Sequence, residues 1–145
     1  MTRISIILLC AVLMAFISPG EQKTALIIRV DNINSTEGQL WLGIYTSQQD
    51  FLQQTASVRI LGQKIDHTGS LLLEADDLPF GTYAIAVFHD KNNNGQLDQS
   101  LVGIPQEPYA FSRKPKSKWR APSYDEVKFT FDRPNQELSM RLENW

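Results

Sequence analysis

Short apolar segments bounded by turn residues recur along this chain, and they constrain its fold more than any other feature. Within each segment apolar residues tend to alternate with other residues, which predicts β-strands because successive side chains of a strand point to opposite faces. The segment at 82–89 is apolar on both faces, which predicts a central strand. Seven strands are predicted, at 24–30, 39–45, 57–61, 70–75, 82–89, 127–131 and 137–142.

The number and shortness of these strands predict the fold class. Seven short strands without a convincing amphipathic helix are typical of an all-β protein, a seven-stranded antiparallel β-sandwich. The last two predicted strands are expected to pair as a hairpin across the turn at 132–135. A chain of 145 residues can bury a stable core in one unit, and we expect a single domain at 21–145.

The first 20 residues are typical of a signal peptide. Arg3 precedes an apolar run at 4–17, which is shorter than the roughly 20 residues of a membrane-spanning helix, and a small-x-small cleavage pattern follows at 18–20. A buried helix or an uncleaved anchor is the alternative. Cys10 follows the bulky Leu9, which disfavours lipid attachment. We therefore expect a secreted or periplasmic protein with no transmembrane segment in its mature chain.

Charge and cysteine content exclude several classes of partner. The chain has 14 basic and 16 acidic residues and a net charge of −2. This balance lacks the basic excess of nucleic-acid-binding domains, so we expect no nucleic-acid partner. Because Cys10 lies in the predicted signal peptide, the mature chain has no disulfide and no thiolate zinc site.

The segment at 90–98, Asp-Lys-Asn-Asn-Asn-Gly-Gln-Leu-Asp, has the pattern of a calcium-binding loop. Calcium binds six to eight oxygens, which alternate residues of a curled loop can direct to one centre, and glycine at position 6 permits the bend. A predicted strand precedes the loop, so it is not an EF-hand. The alternative is a turn rich in Asn and Gly. The predicted metal ligands are Asp90, Asn92, Asn94, Gln96 and Asp98.

The segment at 113–120 is the second candidate site. It combines five cations with one aromatic residue, which suits an anionic glycan, a lipid headgroup or an acidic envelope protein, and the alternative is a solvated loop. The candidate partner-binding residues are Arg113, Lys114, Lys116, Lys118, Trp119 and Arg120.

No residues in the sequence form a recognisable catalytic group. His89 ends an apolar strand, where a hydrogen bond usually satisfies a histidine. Ser112 and Ser123 lack a nucleophile elbow, a base and an orienting acid. We therefore predict no catalytic residue and a non-enzymatic binding module, with a purely structural envelope domain or an envelope hydrolase as the alternatives.

An ordered series of short motifs resembles one protein family. The motifs are Leu-Pro-Phe-Gly-Thr-Tyr at 78–83, Phe-His-Asp at 88–90 leading into the loop, Gly-Ile-Pro-Gln-Glu at 103–107, Tyr109, Phe-Ser at 111–112 and Pro-Ser-Tyr at 122–124. They resemble the bacterial secreted family known as domain of unknown function 2141. The resemblance implies a transthyretin-like or immunoglobulin-like sandwich in the cell envelope, and it implies no activity.

The loop at 90–98 is also similar to calcium loops in the sandwich B-repeats of bacterial surface adhesins. Those repeats have an acid at loop position 12, where this chain has Leu101. Glu107, Asp76 and Asp77 are candidates to replace that acid, and the sequence does not choose among them. We expect weak calcium binding, on the order of 0.1 to 1 mM.

Overall fold

The computed structural model describes residues 24–145, and its secondary structure is almost entirely β. Within that range a 3₁₀ turn at Gln54–Ala56 and a one-turn helix, α1, at Tyr124–Val127 are the helical elements. The eight strands are β1 (Ala25–Ile33), β2 (Gln39–Tyr45), β3 (Arg59–Lys64), β4 (Gly69–Asp76), β5 (Gly81–Asp90), β6 (Tyr109–Phe111), β7 (Phe129–Phe131) and β8 (Gln136–Arg141).

β1 is the middle strand of a three-stranded sheet with the order β4-β1-β8. It runs antiparallel to β4, with Ile28 opposite Leu73, and parallel to β8, with Ile28 opposite Leu138. Leu26, Ile28 and Val30 are fully buried, as the alternation of apolar residues predicts for a half-buried strand.

β5 is the central strand of a second sheet with the order β3-β2-β5-β6, in which β7 also pairs with β5. One edge of β5 pairs with β2. The other edge is shared, because β7 pairs with the segment at 81–83 and β6 with the segment at 86–88. Both edges of β5 are therefore occupied, which agrees with the prediction of a central strand.

Buried residues from both sheets form one hydrophobic cluster. Complete burial of a large aliphatic side chain stabilises a protein by roughly 1.5–3 kcal/mol, so this cluster is the main source of stability. A smaller cluster lies on the other face of the second sheet, near the start of β5. It consists of Tyr45, Phe51, Ala84, Tyr124 and Val127.

The structure differs from the predicted seven-stranded antiparallel fold in three respects. There are eight strands, because the segment at 109–111 forms β6 in a stretch predicted to be irregular. β1 and β8 are parallel. The predicted hairpin at 132–135 is wrong, since β7 lies in the second sheet and β8 in the first.

The turn between the last two strands is closed by the side chain of Gln136. The turn itself is present, with Asn135 at a φ of 53°. Gln136 Nε2 donates to the Thr130 carbonyl at 2.8 Å, and its Oε1 accepts from the Asp132 N–H at 3.1 Å. These contacts occupy backbone groups beside the turn. The chain then continues into β8, where Met140 is buried against the core.

The predicted signal peptide at 1–20 lies outside the described residues, and the domain boundaries at 21–145 stay a prediction. Over residues 24–145, no helix combines the length and apolar character needed to cross a membrane.

Candidate functional site

β5 delivers Asp90, the first residue of the predicted calcium loop, to a fully buried position. The Asp90 carboxylate accepts hydrogen bonds from the backbone N–H groups of Asn94 at 3.1 Å and Gly95 at 2.8 Å. It also accepts one from the indole Nε1 of Trp41 at 3.0 Å. The buried carboxylate therefore holds the loop in its folded-back shape and connects it to β2.

Two glycines permit this shape. Gly95, at loop position 6, has a φ of +76°, which residues with a side chain rarely adopt. Gly38 precedes β2 and has a φ of +73°, and a Cβ added there would lie 1.9 Å from the Asp90 carbonyl oxygen. The start of the loop thus packs directly on the backbone at Gly38, and any side chain at that position would clash.

Three of the predicted ligands meet on one side of the loop. Asn92 Nδ2 donates to Asp98 Oδ2 at 2.6 Å, and Asn94 Nδ2 donates to Asp98 Oδ1 at 2.9 Å. The amide oxygens of Asn92 and Asn94 accept backbone N–H groups two residues later. The Gln96 contribution to this network is its backbone N–H, which donates to Asn94 Oδ1 at 2.8 Å.

Glu107 joins the two ends of the loop. Its buried carboxylate accepts the Lys91 N–H at 2.8 Å through Oε1 and the Asp98 N–H at 3.1 Å through Oε2. Both contacts are made to loop backbone, so Glu107 stands beside the predicted ligands although it is nine residues beyond the last of them.

The other candidates for the missing acid are far from the loop. Asp76 ends β4 and Asp77 lies in the turn before β5, whereas the loop begins at Asp90, the last residue of the ten-residue strand β5. Leu101 is fully exposed. Of the three acids proposed from sequence, Glu107 is the one that the fold places at the loop.

The loop as it stands is closed by hydrogen bonds between its own groups. No group of three or more His, Cys, Asp or Glu side chains arranged to hold a metal ion occurs within residues 24–145. The side chains that meet in the loop are two amides, Asn92 and Asn94, and one carboxylate, Asp98. An amide carries both an acceptor oxygen and a donor NH₂, so a half-turn of Asn92 or Asn94 would present oxygen where NH₂ now faces Asp98.

The residues considered as possible catalytic groups have backbone partners. The His89 ring is buried and its Nε2 donates to the Glu37 carbonyl at 2.7 Å. Ser112 Oγ donates to the Val127 carbonyl at 2.6 Å and accepts the Ile85 N–H at 3.0 Å. Ser123 is the N-cap residue of α1. Each of the three residues therefore has a structural role, as a hydrogen-bonding partner of the backbone or as a helix cap.

The basic segment at 113–120 follows β6, and its cations are not equivalent. Arg120 forms a bidentate pair with Glu126, at 2.6 and 2.9 Å. This pair, with a further hydrogen bond from the Ser123 N–H, lowers the pKa of Glu126 below its ordinary value of 4.5. Lys118 forms a longer ion pair, with its Nζ 3.7 Å from Glu143 Oε2.

Three of the predicted partner-binding cations have no carboxylate within ion-pair distance in the part of the chain that the structure describes. They are Arg113, Lys114 and Lys116. Trp119 is 87% exposed, and its ring forms a T-shaped pair with the ring of Trp145, with centroids 5.6 Å apart. Trp119 therefore does not anchor the segment in the core. The segment presents its aromatic ring and most of its charge to solvent.

A groove of about 920 Å³ lies between this segment and the second sheet, and the sequence did not predict it. The side chains of β2 and β5 that alternate with the core residues face the groove, and β6 contributes two aromatic rings. The signal in the sequence was the presence of aromatic residues on the non-core face of these strands. The aromatic residues that line the groove are Trp41, Tyr45, Phe88, Tyr109, Phe111, Trp119 and Trp145.

Comparison with known proteins gives one match. The sequence model of a family described as "Uncharacterized protein conserved in bacteria (DUF2141)" matches residues 28–139, more than three quarters of the chain. No curated protein and no solved structure matches.

Proposed function

The chain belongs to the bacterial DUF2141 family, and from that premise we propose that it is an exported, non-catalytic β-sandwich module that binds one calcium ion in the loop at 90–98. Two features support the sandwich and the export. Both sheets contribute side chains to the same buried cluster, as two sheets packed face to face would do. The first 20 residues have the pattern of a signal peptide.

The observation that carries the calcium proposal is the convergence of oxygen-bearing side chains at the loop. Asn92, Asn94 and Asp98 contact one another, and Asp90 and Glu107 fix the backbone around them. In this proposal Asp98 and the two amides supply the nearest oxygens. Glu107 takes the place of the acid that is missing at Leu101.

A second function, a purely structural envelope domain without a ligand, is favoured by one specific observation. The amide groups of Asn92 and Asn94 donate to Asp98 and close the loop without an ion. In that case the loop only stiffens the end of β5, and calcium has no effect on the protein.

Thermal unfolding of the purified protein in chelator and in several millimolar calcium separates the two functions. A ligand that binds only the folded state stabilises it by about 1.4 kcal/mol at ten times Kd, so we expect calcium to raise the melting temperature. Magnesium at the same concentration should have less effect, since it demands stricter octahedral geometry. An unchanged melting temperature in calcium would reject the ion site and leave the structural function.

Two matched variants locate the site. Glu107→Gln keeps the size of the side chain and removes its charge, so we expect the calcium response to fall. Asp76→Asn makes the same change at the exposed acid that ends β4, and we expect its response to equal that of the wild type. Equal responses of both variants would place the ion elsewhere.

A further inference from the structure

We propose that the groove on the outer face of the second sheet binds an acidic polysaccharide chain. Four of the five predicted calcium ligands lie outside the groove lining, and the fifth, Gln96, joins the loop network through its backbone N–H. The proposal therefore does not rest on calcium binding, and the two can fail separately.

The first element of the site is a row of three aromatic rings. Trp41 in β2 pairs with Phe88 in β5, and Phe88 pairs with Tyr109 in β6, so the three residues lie side by side across neighbouring strands. They alternate with core residues such as Leu42 and Val87, and all three are half-buried. Ring faces accept the C–H faces of sugar rings, while the hydroxyl groups of the sugar stay in water.

The second element is a patch of small residues beside this row, on which two aromatic rings of the lining lie. Gly43 pairs with Ala86, and Ala86 pairs with Phe111. Gly62 of β3 lies under Trp41, since a Cβ at Gly62 would be 3.1 Å from the indole ring. The Tyr45 ring lies over Gly43 in the same way, since a Cβ there would be 2.7 Å from the Tyr45 hydroxyl, so the two glycines allow these rings to lie close to the sheet. The volume of about 920 Å³ is in the upper part of the range of ligand sites, roughly 300–1,000 Å³.

The third element is charge. The whole chain has a net charge of −2, yet the groove lining contains five cations and a single acid, Glu143. Arg120 is neutralised by Glu126, which lies outside the lining. Arg113 and Lys114 have no carboxylate within ion-pair distance in the described chain, so they are available to an anion. The complementary ligand is therefore negatively charged. The cations of the lining are Arg113, Lys114, Lys118, Arg120 and Arg141.

The shape of the groove favours a sugar chain over a lipid. Its rim includes strongly exposed residues, among them Val102 and Trp119, so the groove is open to solvent at its rim. An alkyl chain lying there would stay partly in water and gain little from burial. A polysaccharide needs only one face covered, and its carboxylates reach the cations on the rim.

The test is calorimetric titration of the full-length protein with an oligogalacturonate hexamer at low salt. Chelator is included, because carboxylated sugars bind calcium themselves. The fully methyl-esterified hexamer is the matched control, since it has the same rings without charge. Vesicles of phosphatidylglycerol test the lipid alternative. We expect the acid hexamer to bind, the ester to bind about tenfold or more weakly, and added salt to weaken binding of the acid form.

Variants assign the binding to the groove. Trp119→Ala and the double variant Lys114→Ala/Lys118→Ala should each weaken binding about tenfold, the latter with less dependence on salt. Phe80→Ala and Arg133→Ala are the matched controls, since these residues lie outside the groove lining. They should bind as the wild type does.

Several results would overturn the proposal. One is the absence of oligogalacturonate binding at low salt, and another is equal binding of the acid and its ester. Binding to vesicles without binding to the hexamer would replace the sugar with a membrane surface. If calcium leaves the melting temperature of the wild type unchanged while the hexamer still binds, only the calcium function is rejected. The residues substituted in the groove lie outside the loop, so the two assays report on different sites.

Discussion

The loop from Asp90 to Glu107 and the segment from Arg113 to Arg120 are separated only by β6, yet they use charge in opposite ways. In the first, Asp90 and Glu107 are buried and together accept four backbone N–H groups. In the second, most of the charged groups face solvent, and Arg120 is the one held in a close bidentate pair.

The difference teaches which charges determine shape and which are free for recognition. A buried carboxylate that accepts backbone N–H groups is part of the fold, because its removal leaves those donors unsatisfied. Substitution of an exposed cation changes the free energy of unfolding only slightly. Stability should therefore be sensitive to substitution in the calcium loop and at its supports, and insensitive at the unpaired cations of the basic segment.

The largest loss of stability is expected for Gly38→Ala, which attacks the support of the calcium loop. The new Cβ would meet the Asp90 carbonyl at 1.9 Å, and both partners are backbone. We expect a loss of about 4 kcal/mol in the free energy of unfolding, measured in urea. Gly95→Ala is the control, because its φ is nearly the same and its Cβ would be in open space. It should lose about 1 kcal/mol. Similar losses for both would show that backbone conformation, not packing, determines the effect.

Asp90→Ala should have the next largest effect. The substitution leaves the indole N–H of Trp41 and two loop N–H groups without their acceptor, and we expect a loss of about 2–3 kcal/mol in the same assay. Asp98→Ala removes a partly exposed carboxylate and should cost about 1 kcal/mol. If both variants lose the same amount, Asp90 is not the structural centre of the loop.

The bidentate pair between Arg120 and Glu126 predicts a dependence on pH. Arg120 lowers the pKa of Glu126 below 4.5, so the pair stabilises the fold above the ordinary glutamate pKa, and this contribution is lost as pH falls through the lowered value. Melting temperature should therefore fall on acidification below about pH 4.5 more steeply in the wild type than in Glu126→Gln. Parallel pH profiles would mean that the pair contributes nothing to stability.

The smallest effect is expected for Lys114→Ala/Lys116→Ala. Both side chains are exposed and have no ion-pair partner in the described part of the chain, so the free energy of unfolding should change by less than about 0.5 kcal/mol. Chemical denaturation measures this. A large loss here would place these cations among the structural charges and remove the contrast between the two segments.

Much of the β-structure was predictable from local patterns, because alternation and turn residues are properties of short segments. The pairing was less predictable. β8 pairs with β1 across about 110 residues of sequence, and nothing in the alternation of either strand specifies a parallel partner. The hairpin at 132–135 was the simpler expectation, and it is wrong because β7 pairs with β5 in the second sheet while β8 pairs with β1 in the first.

In the candidate site, too, the proximity of residues within one short segment was predictable from the sequence, and contacts between distant segments were not. The spacing of Asn92, Asn94 and Asp98 predicts that they share one ion, whereas the hydrogen bonds that join the two amides to Asp98 are seen only in the folded loop. The choice of Glu107 over Asp76 needed the fold, since it depends on which end of β5 each acid lies beside. The groove also needed the fold, because its aromatic row exists only once β2, β5 and β6 are known to be neighbours.

The parallel pairing of β1 with β8 has a consequence for how the protein is made. The three-stranded sheet cannot be completed until residues 136–141 are available, so β1 has one unpaired edge while the rest of the chain is being synthesised. Pairings between distant parts of a sequence form slowly, since a long loop must close first. An open edge of alternating apolar residues is a template for association with other chains. A chaperone that holds the nascent chain unfolded would protect β1 until its last partner arrives.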